Sequence, residues 1–270
     1  MRGKLLLATL ATMAVCTTTS VVDATSVPAS QTPNNPQAQL TPAQQAISAA
    51  KQHRADAAMA RITPDPVGKS SATTVQSAAS TINYVVLGVQ LRVENPDWNC
   101  GPAATYQAAK YVNPATLYYQ SSSDNPNNEP ASYNLATLEG TTQASGTNCV
   151  NIPGPLNQAA GTGSYYIGSN ITSESTLIND VVFDVGGRYP QVADVSTSAL
   201  DYYNGAEYYH YITGDGYEQV NPNDGSPVYY TNAHVVDDNW NSAYSGLHWT
   251  SFNGLSNAIS YFGSNVNYVW

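Results

Sequence analysis

Positive charge is scarce along most of this chain. Only nine of its 270 residues are Lys or Arg. From Ile82 to the C-terminus three remain, Arg92, Lys110 and Arg188, against sixteen Asp and Glu, a formal charge of −13. Nucleic acid and anionic lipid surfaces both reward clustered positive charge, so neither is an expected partner. Long apolar runs are missing as well. The longest, Leu5 to Val15, is too short to span a bilayer, which excludes a membrane-spanning chain. Residues 25 to 81 have no aromatic side chain, as befits a segment outside a packed core. Cysteine occurs three times, at Cys16, Cys100 and Cys149.

The N-terminus has the form of a signal peptide. Arg2 and Lys4 precede the apolar run, and Val22-Asp23-Ala24 offers compact residues for cleavage after Ala24. Residues 1–24 would then be removed, Cys16 with them, and the remainder secreted. In an exported protein the remaining pair, Cys100 and Cys149, would ordinarily be read as a disulfide.

Two mature segments of opposite sign follow. Residues 25–81 carry four basic and two acidic side chains and are rich in Ala, Ser, Thr, Gln and Pro. Thr41 as N-cap and Pro42 at the first helical position begin a helix expected to run to about Arg61, before Pro64 and Pro66. This segment reads either as a linker or as a pro-segment docking on the acidic domain through Lys51, Arg54, Arg61 and Lys69. Such surface pairs would be weak and screened by salt.

Residues 82–270 have the length of one domain. Helices are expected over Cys100 to Val112, Leu156 to Ala160 and Ser173 to Gly186. Strands are expected over Gln191 to Val195, Tyr208 to Thr213, Val228 to Val236 and Asn265 to Trp270. Helices early and strands late predict an α+β domain with an antiparallel sheet. Asn221-Pro222-Asn223-Asp224-Gly225 lacks the spaced carboxylates of a calcium loop and reads as a hairpin turn.

The chemistry centres on Cys100. It precedes Gly101-Pro102 and an Ala-rich helix, so unpaired N–H groups and the helix dipole should favour the thiolate and lower its pKa. A thiolate nucleophile needs a base and a group to orient that base. His210 opens a strand expected to enter a tight turn at Gly214-Asp215-Gly216, while Asp237 and Asp238 end the next strand. His234 lies three residues before Asp237, and odd separations on a strand diverge. His248 falls in a loop-like stretch.

Asn99-Cys100-Gly101-Pro102-Ala103-Ala104, His210-Tyr211-Ile212-Thr213-Gly214-Asp215-Gly216-Tyr217 and Val236-Asp237-Asp238-Asn239-Trp240 together resemble cysteine peptidase family thirty-nine. These are papain-like peptidases related to the bacteriocin-processing domains of export transporters. The connecting stretches around Leu135 to Leu138 and Gly187-Arg188-Tyr189-Pro190 resemble its exported, stand-alone bacterial branch. The resemblance implies a papain-like fold, with the cysteine on the helical part and His and Asp on the sheet. It implies Cys100 as nucleophile, His210 as general base, Asp237 rather than Asp238 as orienter, and Gln90 as the side-chain member of the oxyanion hole. The substrate would be a peptide or protein, with no cofactor or metal. Amidase or transpeptidase work on cell-wall peptides would use the same residues. A binding module closed by a Cys100–Cys149 disulfide would use none of them for catalysis.

Overall fold

The computed structural model describes residues 38–62, 80–125, 127–162, 166–263 and 265–270. The signal peptide, Cys16, Pro64, Pro66 and Lys69 lie outside the described residues. In chain order the main elements are α1 (Pro42–Ile62), β1 (Thr81–Val86), α2 (Cys100–Val112), α3 (Leu135–Glu139) and α4 (Pro153–Ala159). They continue with β2 (Gly168–Ser169), α5 (Glu174–Gly186), β3 (Gln191–Ser196), β4 (Tyr209–Asn221), β5 (Tyr229–Asp237), β6 (Gly246–Ser251), α6 (Phe252–Ser260) and β7 (Tyr268–Val269).

Alternation along the strands decides the architecture. β3 divides Val192 from Ala193 and Val195, β4 divides Tyr211 from Ile212, and β7 divides Val269 from Tyr268, each into a different apolar cluster. Successive strand residues point to opposite faces, so the sheet is buried on both sides. Residues of α2 and α4 pack with Val192, Tyr211 and Val269. Residues of α5 and α6 pack with Ala193, Val195, Ile212 and Tyr268. The strands lie in the order β2-β7-β3-β4-β5-β6, with β1 beside β4, and every pairing is antiparallel. The expected α+β class with an antiparallel sheet is the one observed.

Small residues bring α2 down onto the sheet. Ala103, Ala104, Ala108 and Ala109 are fully buried, and the Thr213 hydroxyl on β4 donates to the Ala104 carbonyl at 3.1 Å. At Gly101 a Cβ would lie 2.2 Å from the Thr147 hydroxyl oxygen. Glycine is required there for the helix start to meet the 147 loop.

Two expectations about strands are corrected. Gly214-Asp215-Gly216 is not a turn: β4 runs through it to Asn221, with a register irregularity between Gly214 and Gly216. The reason is a backbone contact, since a Cβ at Gly216 would lie 2.5 Å from the Val85 carbonyl of β1. The glycine admits an extra strand rather than a reversal. The chain instead reverses after Asn221, where the hairpin was expected. His248 does not sit in a loop but on β6, paired with Val235.

Part of segment 25–81, expected outside the core, lies in it. α1 starts with a reciprocal cap: the Gln44 N–H donates to the Thr41 hydroxyl and the Thr41 N–H to the Gln44 side chain. Its Ala55 and Met59 join the apolar cluster of α5. Lys51 is 1% exposed and pairs with Asp184 of α5 at 3.1 Å, its ammonium also over the Trp270 ring. Burial lowers its pKa to about 8 against the pull of Asp184. This is a buried ion pair, not the screened surface contact expected of Lys51.

Candidate functional site

Register places the central pair. Ile212 of β4 lies opposite Asp237 of β5. His210 is two residues from Ile212, so with a period of two His210 and Asp237 emerge on one face of neighbouring strands. The His210 Nε2 bonds the Asp237 Oδ1 at 3.0 Å and lies 3.2 Å from the Asp238 Oδ1. Both aspartates therefore reach the same ring nitrogen. Cys100, the first residue of α2, faces His210, its sulfur within 4.8 Å of a ring nitrogen, and the imidazole works to lower its pKa.

Asp237 is the more firmly held of the two carboxylates. Its Oδ2 accepts from the Tyr202 and Tyr203 hydroxyls, and its Oδ1 accepts from the Asn239 N–H. Burial works to raise its pKa, but the His210 charge and these donors outweigh burial and hold it below the usual carboxylate value. Asp238 accepts from the Gln107 amide at 3.3 Å, and burial pushes it up to about 7. Burial would lower His210, yet the Asp237 charge and its hydrogen bond, with Asp238 3.2 Å from the same nitrogen, carry it well above its usual value. These neighbours favour the protonated imidazole.

The thiol behaves differently from expectation. Burial, the largest influence, pushes Cys100 up to about 11; His210 opposes this, while Glu94 and Asp238 add to it. The helix start is present, but Cys100 is 3% exposed, and desolvation of the anion dominates any dipole. Cys149 is buried too, and the two cysteines are not joined. Burial raises the Cys149 thiol well above its ordinary value, and a bond to Tyr211 only partly offsets that.

Gln90 is not brought to this site. It is exposed, and its side-chain amide turns back onto the Gly88 carbonyl at 3.3 Å. Sequence reasoning missed Glu94, which is there instead. Glu94 is 7% exposed; its Oε1 accepts the Trp240 N–H at 3.0 Å, and its own N–H donates to the Asp238 carbonyl at 2.9 Å. One donor atom each from Glu94, Cys100 and His210 lie within 4.8 Å of one another. Only its position six residues ahead of Cys100 marks it in the sequence.

A small cleft opens on this cluster, lined by Trp98, Tyr208, Tyr209 and Trp240 besides Asp97, Asn239, Glu94, Cys100 and His210. His234 and His248 are elsewhere: His234 bonds Asp215, and His248 bonds the Tyr244 carbonyl and stacks on Tyr202. No family model, curated protein or solved structure matches this chain.

Proposed function

We propose that this chain is an exported thiol peptidase of papain-like plan, which hydrolyses peptide bonds through an acyl-enzyme. One observation carries the reading. A cysteine at a helix start lies against a histidine, its sulfur within 4.8 Å of a ring nitrogen, and the histidine is held by a carboxylate. A helical side carrying the cysteine and an antiparallel sheet carrying His210 and Asp237 fit the papain-like arrangement.

The reactive state is the pair of Cys100 thiolate and His210 imidazolium. The sulfur attacks the scissile carbonyl carbon, and the carbonyl electron pair moves onto oxygen. The Cys100 N–H, at the start of α2, has no acceptor within the helix and is free in principle to donate to that oxygen. Collapse re-forms the carbonyl and breaks the C–N bond, while the imidazolium gives its proton to the departing nitrogen. Neutral His210 then takes a proton from water, whose oxygen attacks the thioester carbon. Expulsion of the thiolate releases the acid and restores the starting pair. Asp237 keeps the imidazole oriented throughout and stabilises its charge.

The test is incubation of the chain with a diverse peptide library and sequencing of the new termini. New termini that vanish with Cys100→Ala support the reading. Undiminished cleavage by Cys100→Ala, or none by a parent chain whose Cys100 titrates as a free thiol, overturns it.

A further inference from the structure

The loop before α2 brings an acidic side chain to a place where an anion has little to support it. Glu94 lines the cleft beside Cys100 and His210. From α2 it faces Cys100, from β4 His210, and from the end of β5 Asp237 and Asp238; Asp97 lies on the same cleft wall. His210 is the one positive group among these, and Asp237 and Asp238 already share it. The nearest basic residue in sequence, Arg92, is half exposed and directed to Asp124 at 3.6 Å, with its guanidinium over Tyr106. Three carboxylates and a thiolate cannot all be supported by a single imidazolium in a closed pocket.

Building on the peptidase reading, we propose that Glu94 serves as a neutral carboxylic acid, its O–H hydrogen-bonding the carbonyl oxygen of the peptide under attack, and that the site works only while this proton is held. Geometry assigns the oxygens. Oε1 already accepts the Trp240 N–H, so the proton belongs on Oε2. No bond to Glu94 is made or broken; the O–H strengthens its hydrogen bond as charge builds on the substrate oxygen. Burial pushes the carboxyl up to about 8, with Asp238 and Asp237 adding to the rise and His210 opposing it. Loss of the proton acts twice. It removes the donor, and it sets a negative charge beside a thiol that Glu94 already pushes upward.

The experiment compares the parent chain with Glu94→Gln and Glu94→Ala. It follows kcat and KM against pH on a peptide taken from the library, and separately the rate of Cys100 alkylation by iodoacetamide. The parent should lose activity as pH rises through about 8. Glu94→Gln, which keeps an N–H donor and cannot ionise, should retain kcat within about tenfold and lack that fall. Glu94→Ala should lose about 10²–10³-fold in kcat with KM little changed. Above pH 8 Glu94→Gln should alkylate faster at Cys100 than the parent. A parent-like alkaline fall in Glu94→Gln, or unreduced kcat in Glu94→Ala, overturns the assignment while leaving the peptidase standing. If the parent cleaves nothing, the peptidase reading fails, and alkylation alone decides the charge effect: equal rates above pH 8 overturn it.

Discussion

Two histidine–aspartate pairs bridge β4 and β5 in opposite senses. In one, His210 of β4 bonds Asp237 of β5; in the other, His234 of β5 bonds Asp215 of β4. Both pairs are buried. What differs is everything around them. The His210 ring meets a sulfur, and the cleft opens beside it. The His234 ring lies against the edge of Trp249, and the second Asp215 oxygen accepts the Val89 N–H, pinning the chain that leaves β1. On the peptidase reading, the same two residue types serve as a reactive pair at one end of the strands and as a structural tie further along. The pairing alone decides neither role; the atom facing the other side of the imidazole does.

The histidines give the largest contrast. His210→Ala should lower turnover about 10³-fold or more, as completely as Cys100→Ala, because members of one catalytic unit are not additive. His234→Ala should leave turnover within about threefold and lower the melting temperature instead. Steady-state kinetics on variants whose folding is checked by circular dichroism will read both, and equal losses in the two would erase the distinction.

The aspartates should separate next. Asp237→Ala should reduce kcat about 10²-fold, since the imidazole remains but is no longer oriented. Asp215→Ala strands the Val89 N–H and His234, each a buried group losing its partner. Urea denaturation should show a loss of about 2–3 kcal/mol, with turnover retained. A stable Asp215→Ala would mean that the second pair is not a tie at all.

The smallest effect is a matter of pH. Raised above its unfolded value, the His210 pKa adds stability that is fully present below about 6.5 and is lost as pH climbs through the folded value. Asp237, held below the usual carboxylate range, adds stability present above about 3.9 and lost as pH falls through its folded value. The pair therefore supports the fold across neutral pH. Nitrogen-15 NMR of the imidazoles should find His210 still charged above pH 6.5, and Asp237→Ala should shorten that range. An unchanged titration would point to Asp238 as the principal partner.

What was readable in the sequence was local. Cys100 to Val112 forms a helix over the expected residues because a glycine, a proline and a run of alanines act within a few turns. His210 and Asp237 were legible because each sits on a strand rich in Val, Ile and Tyr, and adjacent antiparallel strands bring their side chains to one face. Glu94 was not legible. Its place depends on hydrogen bonds to the Trp240 and Asp238 backbones, far along the chain. Gln90 had the residue type expected by resemblance, but the turn around Gly88, which has a positive φ of 82°, keeps it outside. β1 escaped because its side chains are mostly exposed and no apolar alternation marks it. Lys51 looked like a solvated charge on an Ala-rich helix, since nothing near it in sequence announces Asp184.

That lysine changes what maturation could mean here. A cut between Ile62 and Thr81 would separate α1 from the domain as a polypeptide. It would leave Lys51 locked on Asp184 and Ala55 and Met59 seated against α5. Leaving would break the Lys51–Asp184 bond and return the apolar faces of Ala55, Met59 and their α5 neighbours to water. The nicked protein should therefore migrate as one particle under native conditions and as two bands only after denaturation, making α1 a tightly bound subunit of the processed protein.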